Sequence, residues 1–417
     1  MANIRGFCCF ECKKEVGYSP ETAKRLYVCP ACGGNLEVLY DYKKIGLSVS
    51  RKSLENNAER SVWRYLDLLP LEGRKFAPPV QIGWTPLYPS KNLGESLGLT
   101  HLYIKDDGRN PSASFKDRAG FVAVARALEQ GEKVVSGAST GNAASSLACL
   151  ASAMNLKTVI FVPQTAPAAK IAQLLVFGAQ VITVKGTYDQ AFDLCLEACA
   201  EYGWYNRNTG FNPYTREGKK TCSYEIIEQL GFKCPDKVFV PVGDGNIISG
   251  IWKGFRDFYE LGLIDRLPQL VGVQAGGSDS IMRAFESGGP LPAVSGETLA
   301  DSISVSIPRD GRAAVRALQE SKGFPIHVSD AEILEAMTTL ARAEGVFAEP
   351  AAAASIAGLK KAVDSTRIRS DETVVALITG NGLKDVASAM KAVGKPSLIE
   401  PNMGALRELM ADNARKL

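Results

Sequence analysis

The sequence predicts an α/β protein with two domains of mostly parallel sheets flanked by helices, preceded by a small cysteine-rich segment. Short apolar runs rich in β-branched residues alternate with longer runs of helical spacing, which is typical of parallel sheets covered by helices. Three of these runs end in turns rich in glycine and asparagine, and five of the ten cysteines lie within the first 32 residues. These features predict ligand-binding loops at one edge of the sheets.

The composition is that of an ordinary globular protein. The 417 residues are enough for two to three domains, and 46% of them are apolar. The 48 Lys and Arg residues nearly balance the 45 Asp and Glu residues, which argues against nucleic acid or an acidic membrane surface as the main partner. No apolar run reaches the length of a membrane span, and the N-terminus lacks the apolar core of a signal peptide. We therefore expect a cytoplasmic protein that binds neither nucleic acid nor membrane.

The N-terminal cysteines form two Cys-x-x-Cys pairs, Cys9 with Cys12 and Cys29 with Cys32. This spacing is typical of a four-cysteine zinc site, because each tight turn presents two thiolates to one ion. Cys8 could replace Cys9 in the first pair. A site with four protein ligands leaves no position for a substrate, so the predicted zinc is structural. The alternative is a ribbon that has lost its metal and keeps its cysteines as small apolar residues.

The rest of the chain predicts alternating strands and helices after a polar stretch with a short helical piece around 61–69. The capping box Ser329-Asp-Ala-Glu332 predicts the start of a helix that runs to about Ala343. Residues 288–296 are rich in Pro and Gly and predict a surface loop. The expected strands are 102–104, 133–136, 158–162, 180–184, 237–242, 270–274 and 373–379.

Three strand-to-helix turns, 137–142, 243–246 and 379–385, carry small polar residues. A glycine-rich turn before a helix presents free N–H groups and the positive end of the helix dipole to an anion. None of the three matches the Walker pattern or a clean Gly-x-Gly-x-x-Gly dinucleotide fingerprint, so a nucleotide enzyme is disfavoured. Together they suit a single phosphate plus a carboxylate.

A fourth turn, 110–118, places Lys116 directly before the apolar run 119–128. A lysine in such a turn is most often a solvated charge. A desolvated lysine with a lowered pKa is instead a nucleophile for carbonyls and forms a Schiff base. The three anion-binding turns favour the second interpretation. Since the chain has only two histidines, a general base of another residue type is expected.

With these turns, the chain resembles the threonine synthases, pyridoxal phosphate (PLP) enzymes of the tryptophan-synthase-β type, known as fold type II. The resemblance extends from the cysteine pairs to about residue 386. It rests on motifs at 111–118, 139–142, 212–213, 217–220, 241–246, 349–355 and 379–385.

The resemblance implies a role for each motif. Lys116 would be the catalytic residue that carries PLP, and a homodimer would be the functional unit. The implied cofactor-binding residues are Phe115, Lys116, Asn142, Gly243, Asp244, Gly245, Asn246, Ile247 and Thr379. The implied substrate-binding residues are Ser114, Ser139, Thr140, Gly141, Asn142 and Asn212. We expect a zinc-ribbon-like segment at 1–40, a connecting arm at 41–75, a large PLP-binding domain at 76–118 and 218–417, and a small domain at 119–217.

Three departures from the family pattern concern the substrate. Asp244 stands where the family's phosphate loop has Asn, so backbone donors must carry the phosphate unless the carboxylate points away. The stretch 151–155 lacks the arginine that the family offers to a phosphorylated substrate. The stretch 300–305 resembles that of serine/threonine dehydratases.

The sequence therefore predicts a PLP-dependent lyase of the threonine synthase type, which converts O-phospho-L-homoserine and water to L-threonine and phosphate. The alternative is a related elimination or β-replacement enzyme, either dehydratase-like or cysteate-synthase-like with O-phosphoserine as substrate. A third hypothesis, a zinc-ribbon protein that binds nucleic acid or a partner on an enzyme-derived fold, is disfavoured by the balanced charge.

Overall fold

The strands form three sheets in the computed structural model, which describes residues 3–166 and 168–414. In chain order the strands are β1 Ile4–Cys9, β2 Glu15–Gly17, β3 Leu36–Tyr40, β4 Leu87–Pro89, β5 His101–Asp106, β6 Val134–Ala138, β7 Lys157–Pro163, β8 Gln180–Val184, β9 Tyr205–Asn206, β10 Lys237–Pro241, β11 Gln269–Ala275, β12 Phe324–Val328 and β13 Thr373–Ile378.

The helices lie between these strands and cover the sheets. They are α1 Pro20–Arg25, α2 Tyr42–Ile45, α3 Arg51–Glu55, α4 Lys91–Leu97, α5 Asp117–Glu129, α6 Asn142–Ala153, α7 Ala168–Val176, α8 Tyr188–Tyr202, α9 Tyr214–Lys219, α10 Thr221–Gln229, α11 Asn246–Glu260, α12 Ser280–Ser287, α13 Gly311–Glu320, α14 Asp330–Glu344, α15 Pro350–Asp364, α16 Val386–Val393 and α17 Met403–Ala414. Short 3-10 helices occur at Val62–Leu68, Asp107–Arg109, Asp301–Ile303 and Gly382–Asp385. No helix in the described part of the chain combines the length and the apolar character that crossing a bilayer requires.

The two larger sheets are mostly parallel, which confirms the predicted fold class. Six strands form the large sheet in the order β12-β11-β10-β13-β5-β4, and only β4 runs antiparallel to its neighbour. Four parallel strands form the small sheet in the order β8-β7-β6-β9. The antiparallel sheet β2-β1-β3 carries the first cysteine pair on β1 and the turn that follows it.

The large sheet is buried on both faces, as expected of parallel strands. Along β10 the side chains alternate: Val238 and Val240 pack on the side of α11, while Phe239 packs in a second core with α14 and α15. Each fully buried side chain of this size contributes about 1.5–3 kcal/mol. The sheet is therefore a rigid platform, and its strand ends can hold side chains in fixed positions.

The predicted local signals match the structure closely. All seven expected strands are present, and the expected helical piece near 61–69 is a 3-10 helix that Ser61 caps by accepting a hydrogen bond from the Trp63 amide (3.2 Å). The capping box opens α14 as predicted, since Ser329 Oγ accepts from the Glu332 amide (3.2 Å) and Glu332 accepts from the Ser329 amide (2.6 Å).

The sequence analysis missed the strands at the two edges of the large sheet. β12 contains Pro325 and an exposed His327, and β4 ends at Pro89. Proline cannot donate to a ladder and is tolerated at sheet edges, where one side of the strand needs no partner. An edge strand therefore lacks the continuous apolar pattern that identified the central ones.

The cysteine-rich sheet packs against the rest of the protein. Its apolar residues Phe7, Leu36 and Val38 belong to the same core as β10 and α11. The Asn35 side chain donates to the Arg309 carbonyl (2.7 Å), and Arg216 donates to the Leu36 carbonyl (3.1 Å). The cysteine segment thus forms part of the main hydrophobic core.

Candidate active site

A cleft of about 530 Å³ lies where the carboxyl ends of four parallel strands meet. Strands β5, β10 and β13 of the large sheet each lead into a loop at this edge, and β6 of the small sheet supplies a fourth loop. Its lining contains seven of the predicted site residues from the lysine turn and from the glycine-rich turn that begins at Gly243, together with Asn142 and Thr379. The lining residues are Phe115, Lys116, Asn142, Thr209, Lys219, Pro241, Val242, Gly243, Asp244, Gly245, Asn246, Ile247, Ile248, Ser302, Ile303, Glu349, Ala351 and Thr379.

The turn that carries Lys116 is held firmly on both sides. The Phe115 amide donates to the Thr379 carbonyl (2.8 Å), and Ser114 forms a backbone bridge with Gly380. The buried Asp117 carboxylate accepts from the Ser112 amide (2.7 Å) and from its hydroxyl (2.6 Å). Lys116 is consequently fixed at the start of α5 while its side chain faces the cleft.

The amine of Lys116 has a lowered pKa, as a nucleophilic lysine requires. Burial lowers the pKa, because a charged ammonium loses its hydration there. Asp244 and Glu349 oppose this effect, while the nearby Arg207 adds to it. Within the described part of the chain the Lys116 amine forms neither a hydrogen bond nor an ion pair, so it is free to bond to a ligand.

The loop after β10 forms a cradle at the start of α11. Gly245 adopts φ +89°, a left-handed conformation that glycine accommodates, and a β-carbon there would lie 2.8 Å from Ala314 Cβ. Asp244 Oδ1 accepts from the Arg309 amide (3.1 Å), which tethers the loop to the segment before α13. The carboxylate is therefore engaged with the protein backbone, and the helix N-terminus is left to face an anion.

Lys219 lies beside this cradle and was not among the predicted site residues, although its stretch 217–220 was one of the family-like motifs. It is fully buried, and its amine donates to Asn246 Oδ1 at the first residue of α11. Burial, Lys116 and Arg207 hold its pKa well below the ordinary value. The only signal in the sequence was that Lys219 lies in the family-like stretch 217–220. Its contact with Asn246 could be known only from the structure.

Asn142 and Glu349 form the wall of the cleft opposite the cradle. The Asn142 side chain donates to both carboxylate oxygens of Glu349 (2.8 and 3.0 Å) and to the Ser302 hydroxyl (3.3 Å). Burial raises the pKa of Glu349, and Asn142 and Lys384 oppose the rise. Glu349 was not among the predicted site residues, although its stretch 349–355 was one of the family-like motifs. Its pairing with Asn142 could not be predicted, because Asn142 lies 207 positions earlier in the chain.

The cleft continues into a second cavity of about 430 Å³, which shares Asn142, Ser302, Glu349 and Ala351 with the first. The other residues that line it are Thr140, Gly141, Lys170, Gln173, Asp301, Pro350, Lys384 and Asp385. The predicted loop 139–142 thus contributes to both cavities.

Three predicted substrate-binding residues do not line either cavity. Ser114 is fully buried under the lysine turn, and Ser139 Oγ accepts from the Gly141 amide (3.2 Å). The Asn212 side chain accepts from the Tyr214 amide (2.9 Å) and donates to the Asn206 carbonyl (2.7 Å). These side chains shape the loops that surround the cleft, and Thr209, three positions before Asn212, lines the cleft instead.

The four predicted metal ligands come together away from the cleft. The Sγ atoms of Cys9, Cys12, Cys29 and Cys32 all lie within 4.8 Å of one another. Cys8 is outside this group, because its Sγ faces the carbonyls of Cys9 and Lys13. The structure therefore selects Cys9 over Cys8 for the first pair.

Comparisons with known proteins agree with this geometry. Residues 79–380 match the model of the family described as pyridoxal-phosphate dependent enzymes. The chain is 41% identical to a threonine synthase of Methanocaldococcus jannaschii over 407 residues, which is 97% of this chain and 99% of the relative. It is also 41% identical to a threonine synthase of Methanosarcina acetivorans, over 98% of this chain and 99% of the relative.

The fold is shared with solved structures of other enzymes. The processed form of threonine deaminase isoform 2 from Solanum lycopersicum matches with a TM-score of 0.63 at 24% identity, covering 75% of this chain and 88% of that one. At this identity the likeness concerns the fold alone. From the family match over most of the chain and from the two relatives at 41% identity, the chain belongs to the pyridoxal-phosphate dependent enzymes and, within them, to the threonine synthase family.

Proposed function

We propose that this protein is a PLP-dependent threonine synthase, which converts O-phospho-L-homoserine and water to L-threonine and phosphate. The observation that carries the proposal is an unpaired Lys116 amine of lowered pKa, in a cleft bounded by an anion cradle and by a small-residue loop at a helix start. The relatives named threonine synthase match nearly the whole chain, so the proposal takes its substrate from them.

The residues of the cleft fit PLP. Lys116 offers the amine that would hold the aldehyde, and the cradle at 243–246 with Lys219 would hold the phosphate. A β-carbon at Gly245 would contact Ala314, so the loop needs a glycine to keep its N–H groups turned towards a ligand. Thr379 would present its hydroxyl to the pyridine nitrogen, and a neutral partner there favours elimination and replacement over transamination. When bound, PLP supplies an electron sink for the carbons next to the substrate amino group.

The protein's own task in this reaction is to position the substrate and to move protons. Loss of phosphate from the γ-carbon requires removal of protons from Cα and Cβ. Formation of threonine then requires a proton at Cγ, which becomes the methyl carbon, and a proton at Cα, while water adds at Cβ. We assign these transfers to the Lys116 amine, because burial lowers its pKa and so favours the neutral amine that can act as a base. The loop at 139–142 would bind the substrate carboxylate with N–H groups at the start of α6.

Glu349 would support these transfers from the opposite wall. Burial raises its pKa and so favours the protonated carboxyl group, and the Asn142 amide fixes its orientation. A β-carbon at Gly380 would lie 2.3 Å from Glu349 Oε1, so no other residue fits at that position without displacing the carboxylate. We propose that Glu349 and Asn142 act as one hydrogen-bonded pair beside the cofactor ring.

We further propose that the cysteine cluster binds a structural zinc ion. Four sulfur ligands from two tight turns match the preference of zinc for tetrahedral thiolate coordination. The Ala31 amide faces Cys29 Sγ (3.4 Å) and lowers the pKa of this thiol to about 7, which favours the thiolate that zinc binds. A reducing compartment keeps such thiols available, which supports a cytoplasmic location.

A homodimer is also part of the proposal. Large apolar side chains are exposed near the C-terminus, among them Val393, Leu398 and Met403. Contact between two copies would remove such surfaces from water. Light scattering on the purified protein would give a mass close to twice the 44.7 kDa of one chain if this is correct.

A substrate panel tests the proposed function. Purified holoenzyme is incubated with O-phospho-L-homoserine, O-phosphoserine plus sulfite, L-serine or L-threonine, and released phosphate and amino-acid products are quantified. We expect phosphate and L-threonine in equal amounts from O-phospho-L-homoserine. Formation of a 2-oxo acid from serine or threonine, or of cysteate from O-phosphoserine, without threonine from the first substrate would instead support the alternative enzymes.

A further inference from the structure

Asp310, the residue before α13, is a buried carboxylate that contacts both the cysteine-rich sheet and the anion cradle. Only 1% of the residue is exposed. Its two oxygens accept hydrogen bonds from four side chains that lie far apart in the chain. These are Asn35 (3.1 Å), Arg216 (2.6 Å from Nη2 to each oxygen), Asn246 (2.6 Å) and Ser249 (3.1 Å). Because all four side chains donate, the position requires a group that only accepts, as an ionised carboxylate does.

On the side of the cradle, Asp310 holds the first turn of α11. Asn246 and Ser249 lie in this turn, and both donate to Asp310 Oδ2. The Asp310 amide donates to the Asp244 carbonyl (2.9 Å), and a β-carbon at Gly245 would lie 2.9 Å from the Asp310 carbonyl oxygen. The cradle loop and the start of its helix are therefore both packed and hydrogen-bonded against this residue.

The cysteine-rich sheet contacts Asp310 through Asn35. Asn35 lies three residues after Cys32, and its side chain donates to Asp310 Oδ1 and to the Arg309 carbonyl (2.7 Å). Its own carbonyl accepts from the amide of Phe10, which lies in the turn of the first cysteine pair (3.0 Å). One residue thus joins both cysteine turns to the carboxylate that holds the cradle.

Arg216 forms a second connection between the same two regions. Its guanidinium pairs with Asp310, donates to the Leu36 carbonyl (3.1 Å) and lies 4.4 Å from the centre of the Phe10 ring, in a cation–π contact. Both side chains of the ion pair are almost completely buried, so water does not screen their attraction. A change in the turn that carries Phe10 therefore acts on the cation that orients Asp310.

We propose that Asp310 is a positioning residue for PLP, and that metal bound at the cysteine cluster raises the affinity for PLP through Asn35, Arg216 and Asp310. This inference rests on the proposed cradle and the proposed zinc ion, and adds a link between them. Asp310 does not line the cleft and acts through Asn246, which lines it and also accepts from Lys219. Since coupling between two sites is reciprocal, bound PLP should raise the affinity for the metal by the same factor.

The first test measures PLP binding in metal-loaded protein. PLP is titrated into apoprotein of the wild type, Asp310→Asn and Asn35→Ala, and its affinity and the phosphorus NMR resonance of its phosphate are recorded. Asp310→Asn turns an amide NH2 group towards side chains that donate, so it should bind PLP at least about fivefold more weakly and shift the resonance. Asn35→Ala leaves Asp310 with its other three partners, so its effect should be smaller and in the same direction.

Glu37→Gln is the matched control that separates positioning from stability. Glu37 is also a buried carboxylate, on β3 of the cysteine-rich sheet, but it pairs with Arg316 (2.9 Å) and not with a residue of the cradle. Its replacement should lower the Tm and change the affinity for PLP by less than about twofold. Equal losses of PLP affinity in Glu37→Gln and Asp310→Asn would show that general destabilisation is the cause and would overturn the proposal.

The second test removes the metal with a chelator, at a temperature where circular dichroism shows that the protein stays folded. Chelation should weaken PLP binding at least about fivefold in the wild type and less than about twofold in Asp310→Asn, because the variant has already lost the link. Equal weakening in both proteins, or none in the wild type, would overturn the coupling. If the chelated wild type or Asp310→Asn does not fold, metal-loaded Asn35→Ala decides: weaker PLP binding supports the coupling, and unchanged binding overturns it.

The proposed function and this inference fail in different ways, because both tests use PLP and metal without substrate. If the wild type binds PLP but makes no threonine from O-phospho-L-homoserine, the proposed function is wrong and the coupling is judged by the two tests alone. If the wild type makes threonine while Asp310→Asn binds PLP as tightly as the wild type, only the role of Asp310 is wrong.

Discussion

Arg118 and Arg207 are both buried arginines near the same lysine, yet they differ completely in their partners. Arg118 lies two residues after Lys116 and is fully buried. Its guanidinium donates to Glu225 (2.6 and 2.7 Å) and to Asp107 (2.9 Å from Nη2), whereas Arg207 has no partner among the described residues. Burial alone therefore does not show whether a charged side chain is paired with other protein groups.

The paired network around Arg118 is complete. Lys105, also fully buried, donates to Glu225 (2.7 Å) and to the Thr85 carbonyl (2.7 Å). Burial by itself would raise the pKa of Glu225, but Arg118 and Lys105 outweigh it and lower the pKa to about 2. This network joins β5, α5 and α10 beneath the turn of Lys116, and so holds the start of α5 in place.

The difference between paired and unpaired charges corresponds to a difference in role. Charges that satisfy one another, as Arg118 and Glu225 do, fix the scaffold. The Lys116 amine, which has no partner among the described residues and lines the cleft, is available to a ligand. The motif Lys116-Asp-Arg118 contains one residue of each kind within three positions.

The largest effect is expected from removing the unpaired lysine. Lys116→Ala should lower turnover of O-phospho-L-homoserine by at least about 10³-fold, because it removes both the attachment of PLP and the base. The fold and Tm should change little, since the amine supports no neighbour. Phosphate release and circular dichroism on the same sample would check both parts, and retained turnover would refute the assignment.

Removing Arg118 from its network of ion pairs should lower the stability of the fold. Arg118→Met leaves Asp107 buried without its cation and Glu225 paired with Lys105 alone, and should lower the free energy of unfolding by about 3–5 kcal/mol. Arg51→Met is the control, because its pair with Glu55 is exposed and contributes only about 0.3–0.5 kcal/mol. Urea unfolding curves would measure both, and similar small losses would show that the network is not the scaffold that we describe.

The four clustered cysteines should also stabilise the fold, in this case through a bound metal ion. Cys29→Ser, or removal of metal by a chelator, should lower the free energy of unfolding by roughly 3 kcal/mol, since loss of a metal site is among the larger single-site effects. Cys8→Ser should have no measurable effect, because Cys8 lies outside the cluster. Metal content and Tm would be measured together; a normal Tm without metal would exclude a zinc ion that the fold requires.

The smallest effect concerns pH. Only the neutral amine captures the aldehyde, so the rate at which apoprotein takes up PLP should rise with pH until Lys116 is deprotonated. Because burial lowers the pKa of Lys116, the rate should level off below the ordinary lysine pKa of about 10.4. Nα-acetyl-lysine is the control, and an uptake rate that still rises in parallel with it above that pH would contradict the lowered pKa.

Local patterns in the sequence were enough to predict the sheets and the loops at their ends. The central strands are apolar along their whole length, and Ser329 and Glu332 identify a helix start from neighbouring residues alone. The edge strand β12 was missed because Pro325 breaks the pattern that central strands show. The predicted cysteine ligands come together because their spacing is a property of two short turns.

The sequence alone did not show which polar and charged side chains of the cleft have partners within the protein. Lys116 and Lys219 lie in separate motifs, and nothing local shows that both face one space. Asn212 was predicted to bind substrate, yet its side chain accepts a hydrogen bond from the Tyr214 amide and donates one to the Asn206 carbonyl. Whether a buried polar group has a partner depends on residues far away in the chain, as with Arg207, and only the fold reveals it.

The most direct measurement is borohydride reduction of the holoenzyme followed by peptide mass spectrometry. The cleft contains two lysines of lowered pKa. The Lys219 amine donates a hydrogen bond to Asn246, whereas the Lys116 amine has no hydrogen-bond or ion-pair partner among the described residues. The pyridoxyl group should therefore be found on Lys116 and not on Lys219. A label on Lys219, or a colourless protein with no label, would contradict the claim that the unpaired charge is the one that binds the cofactor.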